Sequence, residues 1–194
     1  FGSFNFYYID GLTITKIENS SVHIVLLGNL YDFEKYSWSN QDILESWLNH
    51  LESFNEILNA SFKYSGEFLV FYRHKQTQEV TVFSDASAQF ELFYTVTAAG
   101  EVVSSSNYHL IEKVTPLIKD QSSEAISFFD SKAFKKKLSF IGEDTNFINL
   151  KKLQPNHYLN LKSGKTFRYF PNSKIEKTNL KDTSIKVAKM LRGY

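Results

Sequence analysis

The chain has 194 residues, enough for one domain with a full core and an appendage. Its 22 basic and 21 acidic side chains leave a net charge of +1, so no field draws it to nucleic acid or to an anionic membrane. It has no cysteine, which excludes disulfides, thiolate metal sites and a cysteine nucleophile within these residues. No apolar run approaches the roughly 18 residues of a membrane span, and the first residues lack the basic-then-apolar layout of a secretory leader. The expected setting is cytoplasmic.

In chain order, the alternating aromatics of FNFYYI (4–9) predict a strand, with a turn at Asp10-Gly11. LTITKIE predicts a short second strand. The nearly continuous apolar run VHIVLLGNL (22–30) predicts a strand buried on both faces. Leu44, Trp47, Leu48, Leu51, Phe54 and Leu58 then recur at helical spacing. They predict one long helix with Asn40 as its N-cap and acidic residues in its first turns. EFLVFYRH, EVTVFSD, LFYTVTAAG and EVVSSS follow with short polar links, and predict an antiparallel meander. A second helix is expected over 122–138. Two strands joined by a turn at 162–165 are expected within 146–170, and a third helix begins near 179. The alternation argues an α+β domain with helices covering antiparallel sheets. The final residues lie inside a helical pattern, which reads as a piece of a longer protein.

Chemistry is sparse. His23, His50, His74, His109 and His157 stand at no metal-ligand spacing from one another, and read as ordinary surface or core histidines. Neither a phosphate-binding loop nor a nucleophile-elbow motif is present. The basic run KAFKKKL (132–138) reads as the solvated face of a helix. Gly28 and Gly66 each mark a strand boundary where the backbone turns or meets a close neighbour. Ser3 stands third, and an N-terminal nucleophile has to be first, because its own α-amine is the base. Residues alone show no catalytic group and no metal site.

The order of segments resembles the N-terminal glutaminase domain of asparagine synthetase and other class II glutamine amidotransferases. LGNLYD (27–32) is similar to the family's N-G-E-I-Y-N, and YSGEFLV (64–70) to L-D-G-M-F-A-F. SDASAQFELFY (84–94) has the length of R-D-P-F-G-I-K-P-L-Y-Y and keeps Asp85, Leu92 and Tyr94, while Ser84 and Ala88 replace its Arg and Gly. VSSS (103–106) is similar to F-A-S-E. LKKLQPNHYL (150–159) resembles I-K-K-L-P-P-G-H-Y-L, the most specific of these matches.

The resemblance implies a four-layer αββα sandwich of two antiparallel sheets, of the N-terminal-nucleophile-hydrolase type, over 1–170. It implies that 171–194 is a linker and the first helix of an ATP-using synthetase domain. In the family an N-terminal Cys attacks the glutamine amide, and an Asn with the following Gly forms the oxyanion hole. An Asp and an upstream Arg hold the two charged ends of glutamine. Here Leu27 stands at the Asn and Ser65 at the Asp, and no Arg precedes Arg73. Gly28 and Gly66 are retained. Phe1-Gly2 aligns either with the family's C-G or with a later F-G, which would put the nucleophile upstream of residue 1.

The expected domain is therefore catalytically silent, with a vestigial pocket at Leu27, Gly28, Asn29, Ser65 and Gly66. It takes no cofactor of its own, and its role is structural within an asparagine-synthetase-like ligase. ATP and magnesium are implied for the synthetase domain, the expected partner, and a homodimer stays open; neither nucleic acid nor membrane is expected. The alternatives are an active glutaminase domain with a Cys upstream of residue 1, and a stand-alone binding module.

Overall fold

The computed structural model describes residues 1, 3–8, 10–137, 140, 142–171, 174–175 and 177–192. Among them the chain is a mixed α+β protein with two antiparallel sheets and six helices. The strands are β1 (Ile14–Glu18), β2 (Val22–Asp32), β3 (Tyr64–His74), β4 (Val80–Ser84), β5 (Phe93–Val96), β6 (Val102–Ser105), β7 (Lys151–Lys152), β8 (His157–Asn160) and β9 (Lys165–Arg168). The helices are α1 (Asn40–His50), α2 (Phe54–Ser61), α3 (Tyr108–Glu112), α4 (Ser123–Asp130), α5 (Lys132–Lys137) and α6 (Leu180–Arg192). The larger sheet has the order β1-β2-β3-β4-β8-β9, the smaller β6-β5-β7.

Three apolar clusters hold these elements. Along β2 and β3, Ile24, Leu26, Leu30, Phe68, Val70 and Tyr72 turn to one side and pack with Ile43, Leu44 and Trp47 of α1 and Ile57 and Leu58 of α2. Val25, Leu69 and Phe71, alternating with them, join Val80, Val82 and Leu159 against Leu92, Tyr94 and the half-buried Val102. On a third level Phe93 packs with Ile111 and Leu150. The period-2 alternation of the strands thus divides each strand's side chains between two clusters. In the β8–β9 turn, Gly164 (φ +67) approaches the smaller sheet, where an added Cβ would stand 2.5 Å from Val96 Cγ2.

Several expectations need correction. Residues 4–8 form no strand, and Ile9 lies outside the described residues. Phe4 and Phe6 do point into the second cluster, while Tyr7 is 90% exposed. The segment alternates without a ladder because β1 and β3 already occupy both edges of β2. It lies on the sheet face instead, with the Phe6 ring edge-on to Phe71 at 4.5 Å. The long helix is two helices, because Leu51 adopts an extended conformation and Ser53 caps α2 through Glu56 N–H. The spacing of Leu51 and Phe54 continues the stripe across the break. The cap of α1 is Ser39, in a reciprocal capping box with Asp42, and not Asn40.

The meander divides after its first two strands. β3 pairs with β4, but the chain then crosses between sheets through residues 85–92, and β5 pairs with β6 and β7. The helix expected over 122–138 is α4 and α5, interrupted at Ser131, and Leu138 lies outside the described residues. VHIVLLGNL is buried on both faces only in its first half, since Asn29 is exposed. No described helix is long and apolar enough to cross a membrane.

Candidate functional site

The site is built where β2 ends beside the start of β3. In the register, Gly28 opposes Phe68, Asn29 opposes Glu67, Leu30 opposes Gly66 and Tyr31 opposes Ser65. Gly28 has φ +93 and Gly66 φ +131, a region side chains rarely enter. A Cβ on Gly28 would stand 2.1 Å from Glu67 O and 2.7 Å from Phe90 Cε2, and one on Gly66 would stand 2.0 Å from Asn29 O. Both positions therefore require glycine for close backbone approach as well as for torsion.

Asn40 locks the open edge of β2. Its Oδ1 accepts from Leu30 N–H at 2.8 Å, and its Nδ2 donates to Gly28 O at 2.9 Å. The amide takes the place of a strand neighbour where β1 has ended, a role more specific than the capping expected of it. Gly28 N–H itself donates to Thr13 O at 2.8 Å.

The crossover loop closes the other side. Asp85 is 2% exposed, and its carboxylate accepts from Ser87 N–H at 3.0 Å, Ser87 Oγ at 2.8 Å and Gln89 N–H at 3.1 Å. Ala88 completes the turn at φ +50. Tyr169, packed behind, donates its hydroxyl to Ser84 O at 3.4 Å. Burial, with the nearby Asp85 charge, pushes its phenol up to about 12.

Between these elements lies a pocket of about 570 Å³, lined by Asn29, Tyr31 and residues 64–67 of the strands and by Asp85, Ala86, Ser87 and Gln89 of the loop. Of the residues the sequence singled out, Asn29, Ser65 and Gly66 line it. Gly28 lies one step back under the Phe90 ring, and Leu27 packs into the second apolar cluster. The fold adds Asp85 and Glu67 to the lining. Asp85 was visible in the sequence as a retained letter but not as a pocket residue, and nothing in the spacing of Glu67 marked it. A second concavity of about 580 Å³ shares Asn29 and Tyr31 and extends past Tyr36 and Trp38 to the start of α1.

Phe1 does not reach the pocket. Its ring lies tilted against His23 with centroids 4.7 Å apart, four residues before Leu27, roughly 13 Å away along a strand at about 3.3 Å per residue. The other histidines are dispersed and bonded locally: His50 Nδ1 to Ser46 O at 2.8 Å, His157 Nδ1 to Pro155 O at 2.9 Å, His109 beside Glu112 at 3.5 Å, and His74 accepting from Thr77 N–H at 3.3 Å. No described group of three or more His, Asp or Glu could hold a metal ion. Compared with known families and with curated proteins, the chain matches no family and no curated protein.

Proposed function

We propose that the chain is a glutaminase-like domain of an asparagine-synthetase-like ligase, that its pocket no longer hydrolyses glutamine, and that it serves its synthetase partner structurally. The observation that carries the loss of chemistry is the state of the hole. The resemblance would make residue 27 and Gly28 N–H the two donors for a tetrahedral oxyanion. Leu27 has no donor and is packed into the core, and Gly28 N–H is already given to Thr13 O. Phe90 covers the same glycine. A single such donor is typically worth about 3–4 kcal/mol of barrier, so losing both removes most of the catalysis.

The family reading itself rests on backbone shape. The quoted family motifs place glycine at four positions of this chain: 28, 66, 88 and 156. All four have positive φ here, at +93, +131, +50 and +60, although Ala88 and Asn156 are not glycine. Non-glycine residues enter that region rarely, so the turns of the family pattern persist where its letters have changed. The three stacked clusters support the four-layer αββα arrangement for 1–170. Leu180, Ile185, Val187 and Leu191 on α6 are all exposed, which supports assigning 171–194 to a neighbouring domain. In this reading ATP and magnesium belong to that domain.

Ammonia release from glutamine tests the proposal, measured on the protein at its full natural length. The expected rate is the uncatalysed background. Turnover of an enzyme-like size would replace this reading with the active glutaminase. Leu27→Asn with Ser65→Asp and an N-terminal Cys is the minimal restoration. It is expected to fail while Thr13 holds Gly28 N–H, because such sites act as units.

A further inference from the structure

The pocket has a charge of its own, independent of any glutaminase ancestry. Two carboxylates line it, Glu67 and Asp85, and none of its lining residues is a lysine or arginine. Asp85 is nearly fully buried, yet its partners in the described residues are N–H and O–H groups without formal charge. Glu67 is exposed and has no hydrogen-bond or ion-pair partner among the described residues. Lys63, beside Tyr64 in sequence, is committed elsewhere, at 3.0 Å from Asp32 and 3.2 Å from Glu34. Burial draws its ammonium down, but those two carboxylates outweigh this and hold its pKa above the ordinary value.

The remaining lining suits the same kind of guest. Tyr31 and Tyr64 bring aromatic rings to the wall, a surface that attracts cations, and the Lys63 ammonium already lies 5.8 Å from the Tyr64 centroid. Ser65 lines the pocket as a residue, while its Oγ is turned into the wall, buried with no hydrogen-bond partner among the described residues. The Asn29 amide, on the exposed part of β2, can donate and accept. A volume of about 570 Å³ is of the size that holds a small organic molecule.

We propose that this pocket binds the ammonium or guanidinium end of an aliphatic amine that carries no carboxylate. Glu67 forms the ion pair, and Asp85 supplies the buried field. The exposed Asn29 amide oxygen accepts a remaining N–H group. A zwitterion such as glutamine would bring its carboxylate into a site with two negative groups and no cation, so the same residues that admit an amine reject it.

The test titrates the chain with agmatine, which carries a guanidinium and an ammonium, and follows heat and amide chemical shifts. Saturable binding is expected, with shifts centred on 64–67 and 85–89. Glu67→Gln, an exposed change that leaves the core intact, should weaken binding by about tenfold or more, and Glu67→Asp should recover most of it. Glutarate, an anion of similar length, should neither bind nor compete. The proposal is overturned if agmatine shows no saturation up to about 10 mM, if Glu67→Gln binds as well as the parent, if glutarate competes, or if the shifts lie elsewhere. Agmatine binding and ammonia release from glutamine are separate readouts, so either the amine site or the silent-domain reading can fail without the other.

Discussion

The two ends of the β2–β3 pair are held in different ways. Over residues 24–26 and 68–72 the strands pair in regular register, and their side chains bury against α1 and α2 on one side and against the smaller sheet on the other. Beyond Gly28 and before Phe68 packing gives way to backbone devices: two glycines at positive φ, an asparagine amide standing in for a strand, and a buried aspartate gathering the N–H groups of a turn. The first region tolerates any apolar side chain of suitable volume. The second tolerates almost no change of backbone or of the Asn40 and Asp85 side chains that hold it, but leaves the other side chains that face the pocket free to differ. A pocket can in this way keep its outline while the side chains lining it vary.

The largest effects are expected in the packed region. Trp47 is 1% exposed, and its ring meets Tyr64 at 5.6 Å. Trp47→Ala should cost about 3–5 kcal/mol, read as a lower midpoint in urea with unchanged slope. If the loss is under about 1 kcal/mol, α1 is not anchored as described. Gly66→Ala comes next. Its methyl would meet Asn29 O at 2.0 Å while the residue sits at φ +131, so a loss of about 2–4 kcal/mol is expected from overpacking and torsional strain together. Equal stability would mean that the two strands do not approach as closely as this register requires.

Asn40→Ala should fall between packing and surface effects. It strands Leu30 N–H and Gly28 O, at a cost of about 1–3 kcal/mol. Asn40→Asp sharpens the test, since aspartate can accept from Leu30 N–H but cannot donate to Gly28 O. Its loss should be nearly as large. If Asn40→Ala matches a simple loss of helix propensity, the edge is not held by this amide.

Ala88→Gly should act in the opposite direction. At φ +50 the methyl is strained, and relief outweighs its modest burial, so a gain of a few tenths to about 1 kcal/mol is expected in thermal unfolding. Destabilisation would show that the loop owes more to its side chain than to its turn. The smallest effect is a pH dependence. Asp42's hydrogen bonds from Ser39, the hydroxyl first and then the backbone N–H, lower its pKa from the ordinary 3.8. A depressed carboxylate contributes stability that is present above 3.8 and is lost as pH falls through the lowered value. Asp42→Asn should therefore lower the melting temperature at neutral pH and match the parent in strong acid. A difference that persists in acid would place the effect in packing.

The same contrast explains what the sequence made legible. Alternation and helical spacing revealed the strands β1 to β4, the helix-covered sheet and the identity of the core, because burial acts on every second or every third to fourth residue. They misplaced 4–8, where alternation serves a face without a ladder, and ran α1 into α2, because Leu51 and Phe54 keep the stripe while Ser53 breaks the backbone. The crossover at 85–92 was invisible to pattern, since pairing partners are decided over long range. Of the pocket, Gly28 and Gly66 could be read as backbone requirements. Glu67, the Asn40 bridge and the engaged Gly28 N–H could not, because each depends on which strand lies beside which.

Amide hydrogen exchange at Gly28 tests the central claim most directly. If the donor that a working oxyanion hole would need is spent on Thr13 O, Gly28 N–H should exchange as slowly as the N–H groups of the buried strand beside it, such as Leu26. Exchange as fast as in the exposed turn around Gly100 would mean that the donor is free, the hole is open, and the proposed silence of the pocket has lost its structural argument.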